Sequence, residues 1–251
     1  MIAHMRFILI LVWVSITFSY RLIGLIASPV FPNIDRYFRR TAFRACAKGV
    51  LKIAGIRPHV RGPRPSAPFY LVSNHISFFD VFLIASELGC VFVSKSELGK
   101  WPVFGFIARH MNTILINRED IRDTHRVNEE IKNVMNDGLG IVVFAESRVS
   151  QTGELLPFKP ALLQPAIASE MPVHYASVHY ATPYRPSAAQ ELILWKDGVG
   201  VIRHFLNVAS LPSCEATLVF GERPIEASDR KVLATALHSA VQAQYTPIAP
   251  N

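Results

Sequence analysis

The chain opens on an apolar run. Phe7 to Ser19 carries no charge, and after Tyr20-Arg21 the apolar pattern resumes from Leu22 to Phe31. A bilayer crossing takes about 20 apolar residues, and a charge near mid-membrane costs on the order of 3 kcal/mol. Two arrangements fit: one span with Arg21 snorkelling, or a shorter hydrophobic helix followed by a shallow interfacial one. No small-x-small cleavage site follows the run, which argues against a cleaved leader. From residue 34 to 55 the pattern turns amphipathic. Tyr37, Phe38, Ala42, Ala45, Val50, Leu51 and Ile53 alternate with Arg36, Arg39, Arg40, Arg44, Lys48 and Lys52. That is either a basic helix on a membrane surface or an ordinary packed helix with solvated cations. Arg61 to Ser66, with two prolines and a glycine, reads as a turn.

Beyond it, strand-length and helix-length patterns alternate. Phe69–Ser73, Val91–Ser94, Thr113–Asn117, Gly140–Ala145, Pro172–Tyr180, Glu191–Trp195 and Ala216–Gly221 read as strands. Phe79–Leu88, Val103–His110, Arg122–Asn136 and Arg230–Ala243 read as helices; in Arg122–Asn136 the apolar Val127, Ile131, Val134 and Met135 share one face. The pattern predicts an α/β fold, a mostly parallel or mixed sheet flanked by helices, behind an N-terminal hydrophobic membrane-anchoring helix. The expected organisation is an anchor over 1–33, a basic amphipathic helical segment over 34–60 and one catalytic domain over 61–251.

Composition narrows the setting. At 251 residues there is room for one domain with a sizeable core. Half the residues are hydrophobic (50%), only 18% are charged, and the net charge is +7, a balance suited to an anionic lipid surface. No zinc-finger spacing, RNA-binding signature or Lys/Arg tract points to nucleic acid. Cys46, Cys90 and Cys214 are odd in number and widely spaced, so neither a disulfide framework nor a metal site is expected. His174 and His179 lie five residues apart on one strand and face opposite ways, which also argues against a metal. The basic segment after the anchor places the domain on the cytoplasmic side by the positive-inside rule.

The chemistry concentrates in Ser73-Asn74-His75-Ile76-Ser77-Phe78-Phe79-Asp80. A histidine leaving a strand, with a carboxylate in the first turn of the next helix, is a general-base arrangement. The carboxylate fixes one ring N–H and leaves the other nitrogen free to take a proton. The bland alternative is a loop histidine beside a helix-stabilising aspartate. No Gly-x-Ser-x-Gly elbow is present, so a serine hydrolase is not indicated.

Read in order, the segments resemble the glycerophospholipid acyltransferase family, the lysophosphatidic acid acyltransferase group. Asn74-His75-x-x-x-x-Asp80 is similar to its first motif. Gly105 with Ile114-Leu115-Ile116-Asn117-Arg118 is similar to the second, and Lys95-Ser96-Glu97-Leu98 to the approach to it. Phe144-Ala145-Glu146-Ser147-Arg148 stands where Phe-Pro-Glu-Gly-Thr-Arg is usual, and Met171-Pro172-Val173-His174-Tyr175 partly keeps the fourth. The resemblance spans roughly residues 65 to 225 and implies acyl transfer from acyl-CoA or acyl carrier protein to a lysophospholipid hydroxyl. Its default acceptor is 1-acyl-sn-glycerol-3-phosphate, giving phosphatidic acid; a lyso-aminolipid acceptor and a non-catalytic descendant are the alternatives. The thioester is a co-substrate, and neither metal nor other cofactor is implied; acyl carrier protein is a candidate partner. His75 and Asp80 become the catalytic pair. Arg118 is expected to hold the acceptor phosphate, with Lys95, Glu146 and Arg148 in supporting binding roles and Asn74 or Ser77 near the oxyanion. Replacing Gly by Ser147 removes easy access to positive φ, so the third-motif loop is expected to take a different path.

Overall fold

A seven-stranded sheet carries the site. The computed structural model describes residues 1–100, 105, 108, 113–117 and 121–248. In chain order its main elements are α1 (Ile2–Ala27), α2 (Pro32–Ala54), β1 (Ile56–Arg61), β2 (Tyr70–Ser73), α3 (Phe79–Glu87), β3 (Cys90–Lys95), β4 (Ile114–Ile116), α4 (Ile121–Asn136), β5 (Gly140–Phe144), α5 (Gln164–Ala168), β6 (Val173–Ala181), α6 (Val201–Ser210), β7 (Cys214–Phe220) and α7 (Arg230–Gln244). Strand order is β1-β7-β6-β2-β5-β3-β4. Every neighbouring pair is parallel except β6 with β7, so β7 and β1 run against the rest. The expected mixed sheet is therefore present.

Strand side chains alternate between two cores. Leu71, Val142, Ala176 and Val178 face α1, α2, α3 and α6. Tyr70, Val72, Ile141 and Val143 face α4 and α7, where the stripe Val127, Ile131, Val134 and Met135 packs as its spacing requires. Three differences from expectation are physical. Ile56–Arg61, placed in the helical segment before residue 61, is an edge strand whose pattern is mostly exposed, so no buried alternation announced it. Glu191–Trp195 is not a strand: Ala189–Ile193 is a π-helical turn that buries Ala189 and Ile193. Val201–Ser210, unpredicted, is a helix burying His204, Phe205, Val208 and Ala209. The expected helix over 103–110 lies largely outside the described residues.

Helix α1 does not stand clear of the domain. One stripe, Thr17, Arg21 and Gly24, is buried against α2. A Cβ on Gly24 would sit 2.4 Å from the Phe38 side chain, and one on Gly49 would sit 1.9 Å from the Trp13 indole nitrogen, so both glycines permit close helix crossing. Arg21 is 1% exposed, which overturns the snorkelling reading: its aliphatic stem and head lie inside the helical hairpin. At the other end Arg6 donates to the carbonyls of Leu211 at 2.6 Å, Ala209 at 3.3 Å, Ala54 at 3.4 Å and Pro212 at 3.3 Å. These are the C-terminal ends of α2 and α6, where unpaired carbonyls and the helix dipole both favour a cation. The opposite face of α1 is exposed and apolar, with Ile2, Met5, Ile8, Leu9, Val12, Ile16, Ile23 and Ile26.

Arg6→Met should keep the apolar stem and lose the carbonyl contacts. A charged hydrogen-bond donor of this kind is worth about 2 kcal/mol, so thermal unfolding in detergent is expected to move down by roughly 4–8 °C for a domain of this size.

Candidate active site

The site is built where β2 ends and β6 continues. Pairing between them closes at Ser73 and Ala176, and β6 runs on to Ala181. Asn74 extends the ladder with its side chain: Nδ2 donates to the Val178 carbonyl at 2.9 Å and Oδ1 accepts from the Val178 N–H at 2.7 Å. Asn74 is fully buried, and its amide is committed to the backbone. The expected substrate contact is thus corrected to a clamp that fixes how the chain leaves β2.

The next residue is His75. Its Nδ1 lies 2.8 Å from Oδ2 of Asp80, the pair expected from the spacing. Asp80 is completely buried. Its Oδ2 also accepts from the Ile76 N–H at 2.7 Å and the Ser77 N–H at 2.9 Å, so the loop curls around the carboxylate. Both N–H groups are therefore spent on Asp80, that of Ser77, a residue expected near the oxyanion, among them. Oδ1 accepts from the Tyr180 hydroxyl at 2.9 Å. Burial and the adjacent Asp80 charge push the Tyr180 phenol well above its ordinary pKa, so it stays a donor. Ser77 Oγ accepts from the Phe79 N–H and lies 3.0 Å from Nε2 of His204. Burial pulls His204 down to about 4, leaving it neutral near pH 7.

A second loop holds the histidine from the other side. Glu146 Oε2 accepts from the His75 N–H at 3.0 Å and Oε1 accepts from the Leu156 N–H at 2.9 Å. The Ser150 N–H donates to the His75 carbonyl at 2.7 Å. Glu146 is 1% exposed, and burial raises it to about 8 against the opposing pull of those two N–H groups. Its task in the structure is loop geometry, not a surface contact. Ser147 has φ +65°, so the expectation of a different path fails: the serine takes the left-handed turn at a cost of about 1–2 kcal/mol. Arg148 is exposed on the same loop. Lys95 ends β3, and Arg118 lies outside the described residues.

The imidazole stacks on Phe144 at 3.9 Å and 8°, and it opens on a cavity of about 620 Å³. Phe7, Leu11, Val14 and Phe18 of α1 make one wall; Phe78, Phe82, Phe92, Trp195 and Phe205 make much of the rest. With Nδ1 taken by Asp80, Nε2 is the nitrogen left for a reactant. A larger groove of about 840 Å³ runs along β1 beside Lys48, Lys52, Arg57 and Arg64; His75 does not line it, and the pair it does hold, Arg64 with Glu87 at 2.6 Å, is an ordinary ion pair with no group suited to general-base work. Among the described residues no cluster of three or more His, Cys, Asp or Glu is arranged to hold a metal. The three cysteines are buried and free. Tyr180 and His204 were not singled out by the sequence: they meet the motif across 100 and 127 residues of chain, which no local spacing reports.

Residues 57–179 match the Acyltransferase family model. The chain is 29% identical over 234 residues to the lyso-ornithine lipid O-acyltransferase of Rhizobium meliloti, covering 84% of this chain and 78% of that protein. It is 33% identical over 144 residues to the 1-acyl-sn-glycerol-3-phosphate acyltransferase of Neisseria gonorrhoeae, covering 57% of this chain and 56% of that one. Its fold is shared with the crystal structure of the 1-acyl-sn-glycerophosphate acyltransferase of Thermotoga maritima, at TM-score 0.66 and 21% identity over 96% of this chain and 97% of that chain.

Two measurements check this geometry. Because Glu146 binds its proton more tightly folded (about 8) than at its ordinary 4.5, the unfolded chain releases that proton first as pH rises. Its contribution to stability is whole below pH 4.5 and is lost between there and about 8. Urea midpoints across that window should decline in the unsubstituted protein and decline less in Glu146→Gln. Ser147→Gly should relieve the left-handed strain and stabilise the fold by about 1 kcal/mol in the same assay.

Proposed function

Taking an acyltransferase domain over residues 57–179 as the premise, we propose that this enzyme moves a fatty acyl group from an acyl thioester to the free hydroxyl of a lysolipid. The observation that carries the reading is the His75–Asp80 pair at 2.8 Å, opening on a largely apolar cavity of about 620 Å³. Nε2 of His75 takes the hydroxyl proton as the lipid oxygen attacks the thioester carbonyl. The tetrahedral intermediate collapses, the carbon–sulfur bond breaks, and the proton passes from the imidazolium to the leaving thiolate. Asp80 holds Nδ1–H and balances the transient positive charge. The aromatic and aliphatic walls take the acyl chain. The donor is acyl-CoA or acyl carrier protein, and both present the same thioester.

The first acceptor is 1-acyl-sn-glycerol-3-phosphate, with Arg118 holding its phosphate by forked donors and Lys95 and Arg148 adding charge. A second acceptor, a lyso-ornithine lipid, is favoured by two observations. The alignment with the Rhizobium meliloti protein extends over 84% of the chain, and the third motif has lost its Pro, Gly and Thr. The exposed apolar face of α1 sits in the bilayer interface on the cytoplasmic side, with the basic α2 nearby. Leu11 is both exposed and part of the cavity wall, so the mouth borders that face and lipid can enter from the membrane.

Purified protein with palmitoyl-CoA should release free thiol only when a lysolipid is added. His75→Ala should lower that rate by roughly 10²–10⁴-fold with folding retained; normal turnover would remove the assigned base. A panel of 1-acyl-sn-glycerol-3-phosphate and lyso-ornithine lipid identifies the acceptor. Arg118→Glu should raise KM for the phosphate acceptor by ~10-fold or more, the loss of one charge-assisted contact, and should leave KM for palmitoyl-CoA unchanged.

A further inference from the structure

Asp80 has two oxygens, and they are treated differently. Oδ2 is saturated by three donors, the His75 ring and the Ile76 and Ser77 N–H groups. Oδ1 faces the opposite way, into the core, and its one donor among the described contacts is the Tyr180 hydroxyl at 2.9 Å. Tyr180 is 1% exposed and Asp80 0%, so no solvent substitutes for that bond. The phenol is fixed by β6, the strand that Asn74 already clamps to the motif through Val178. Register of one strand therefore sets both the path of the loop and the position of the hydroxyl.

We propose that Tyr180 is a positioning residue for the acyl transfer, acting on His75 only through Asp80. Its hydroxyl turns the carboxylate plane so that Oδ2 meets Nδ1, and it draws negative charge toward Oδ1. Removing it leaves more charge on Oδ2, which binds the imidazolium more tightly and makes His75 slower to return its proton to the thiolate. The inference rests on His75 being the base. The other titratable groups around the pair are few: Glu146 from the loop after β5, at the His75 N–H; His204 from α6, at Ser77; Cys214 from β7, whose field reaches the Tyr180 phenol; and Tyr245, which senses Asp80 and Glu146 after α7. None of them donates to Oδ1.

The test is Tyr180→Phe in the full chain, assayed in detergent micelles with palmitoyl-CoA and whichever lysolipid the panel selects. The expected result is a fall in kcat of ~10-fold with both KM values unchanged, and an acid limb of the kcat profile moved to higher pH by about half a unit, as loss of a hydrogen bond to the charged carboxylate requires. Histidine-selective NMR, with the His75 signal assigned by its absence in His75→Ala, should show that imidazole titrating at higher pH in the variant than in the unsubstituted protein. The double variant Asp80→Asn/Tyr180→Phe should be no slower than Asp80→Asn alone, since both remove one device. A merely structural tyrosine would lower the active fraction at every pH and leave limb and NMR titration in place; that result overturns the proposal. If Tyr180→Phe does not fold, 3,5-difluorotyrosine placed at position 180, a stronger donor, should move the limb to lower pH, and an unmoved limb overturns it equally. Turnover retained in His75→Ala would instead overturn the base assignment, so the two failures are distinct.

Discussion

A carboxylate withdrawn completely from water must be supplied with donors, and Asp80 organises much of the structure around that requirement. Three of its four donors among the described residues come from the loop it follows, at His75, Ile76 and Ser77. The fourth comes from β6, a hundred residues away. An ion held this way is expensive to disturb, because each donor removed exposes a buried lone pair. The loop conformation, the orientation of the imidazole and the register of β2 against β6 are consequences of satisfying one anion.

The surrounding polar groups follow the same logic. Asn74 carries the β2 ladder one residue past its end, Glu146 holds the His75 N–H from a second loop, and Ser150 takes the His75 carbonyl. His75 is thereby held by main chain and side chain alike, and its ring is pressed flat on Phe144. For the proposed base this rigidity has a chemical use: a group that must give back what it takes works best when neither its tautomer nor its tilt has to be found again on each turnover. The proposed transfer would gain from the apolar cavity beside it, where charges that form are screened less than in water.

Much of this was legible in the chain. The His75–Asp80 pair is local, five residues apart, and its helix start was visible in the apolar run after Phe79. The central strands read well because they are buried on both faces and appear as short apolar runs. What failed to show has a common cause. β1 is an exposed edge with polar positions, α6 presents only ten residues of pattern, and Ala189–Ile193 is a tight turn with strand-like composition. Ser147 misled for another reason: the turn it occupies was expected to need glycine, and the buried Glu146 beside it holds the loop in place despite the strain. Asn74 looked like a substrate contact because an amide near a catalytic histidine suits an oxyanion, and only tertiary pairing with Val178 reveals its task.

The packing of α1 also bears on how such enzymes change over time. Because Phe7, Leu11, Val14 and Phe18 line the cavity while the rest of α1 presents an exposed apolar face, the N-terminal helix is not an exchangeable tail. On the proposed function, a lineage that drifted in this segment to suit a thicker or thinner bilayer would reshape the chamber for the fatty chain in the same step, coupling membrane adaptation to chain selectivity.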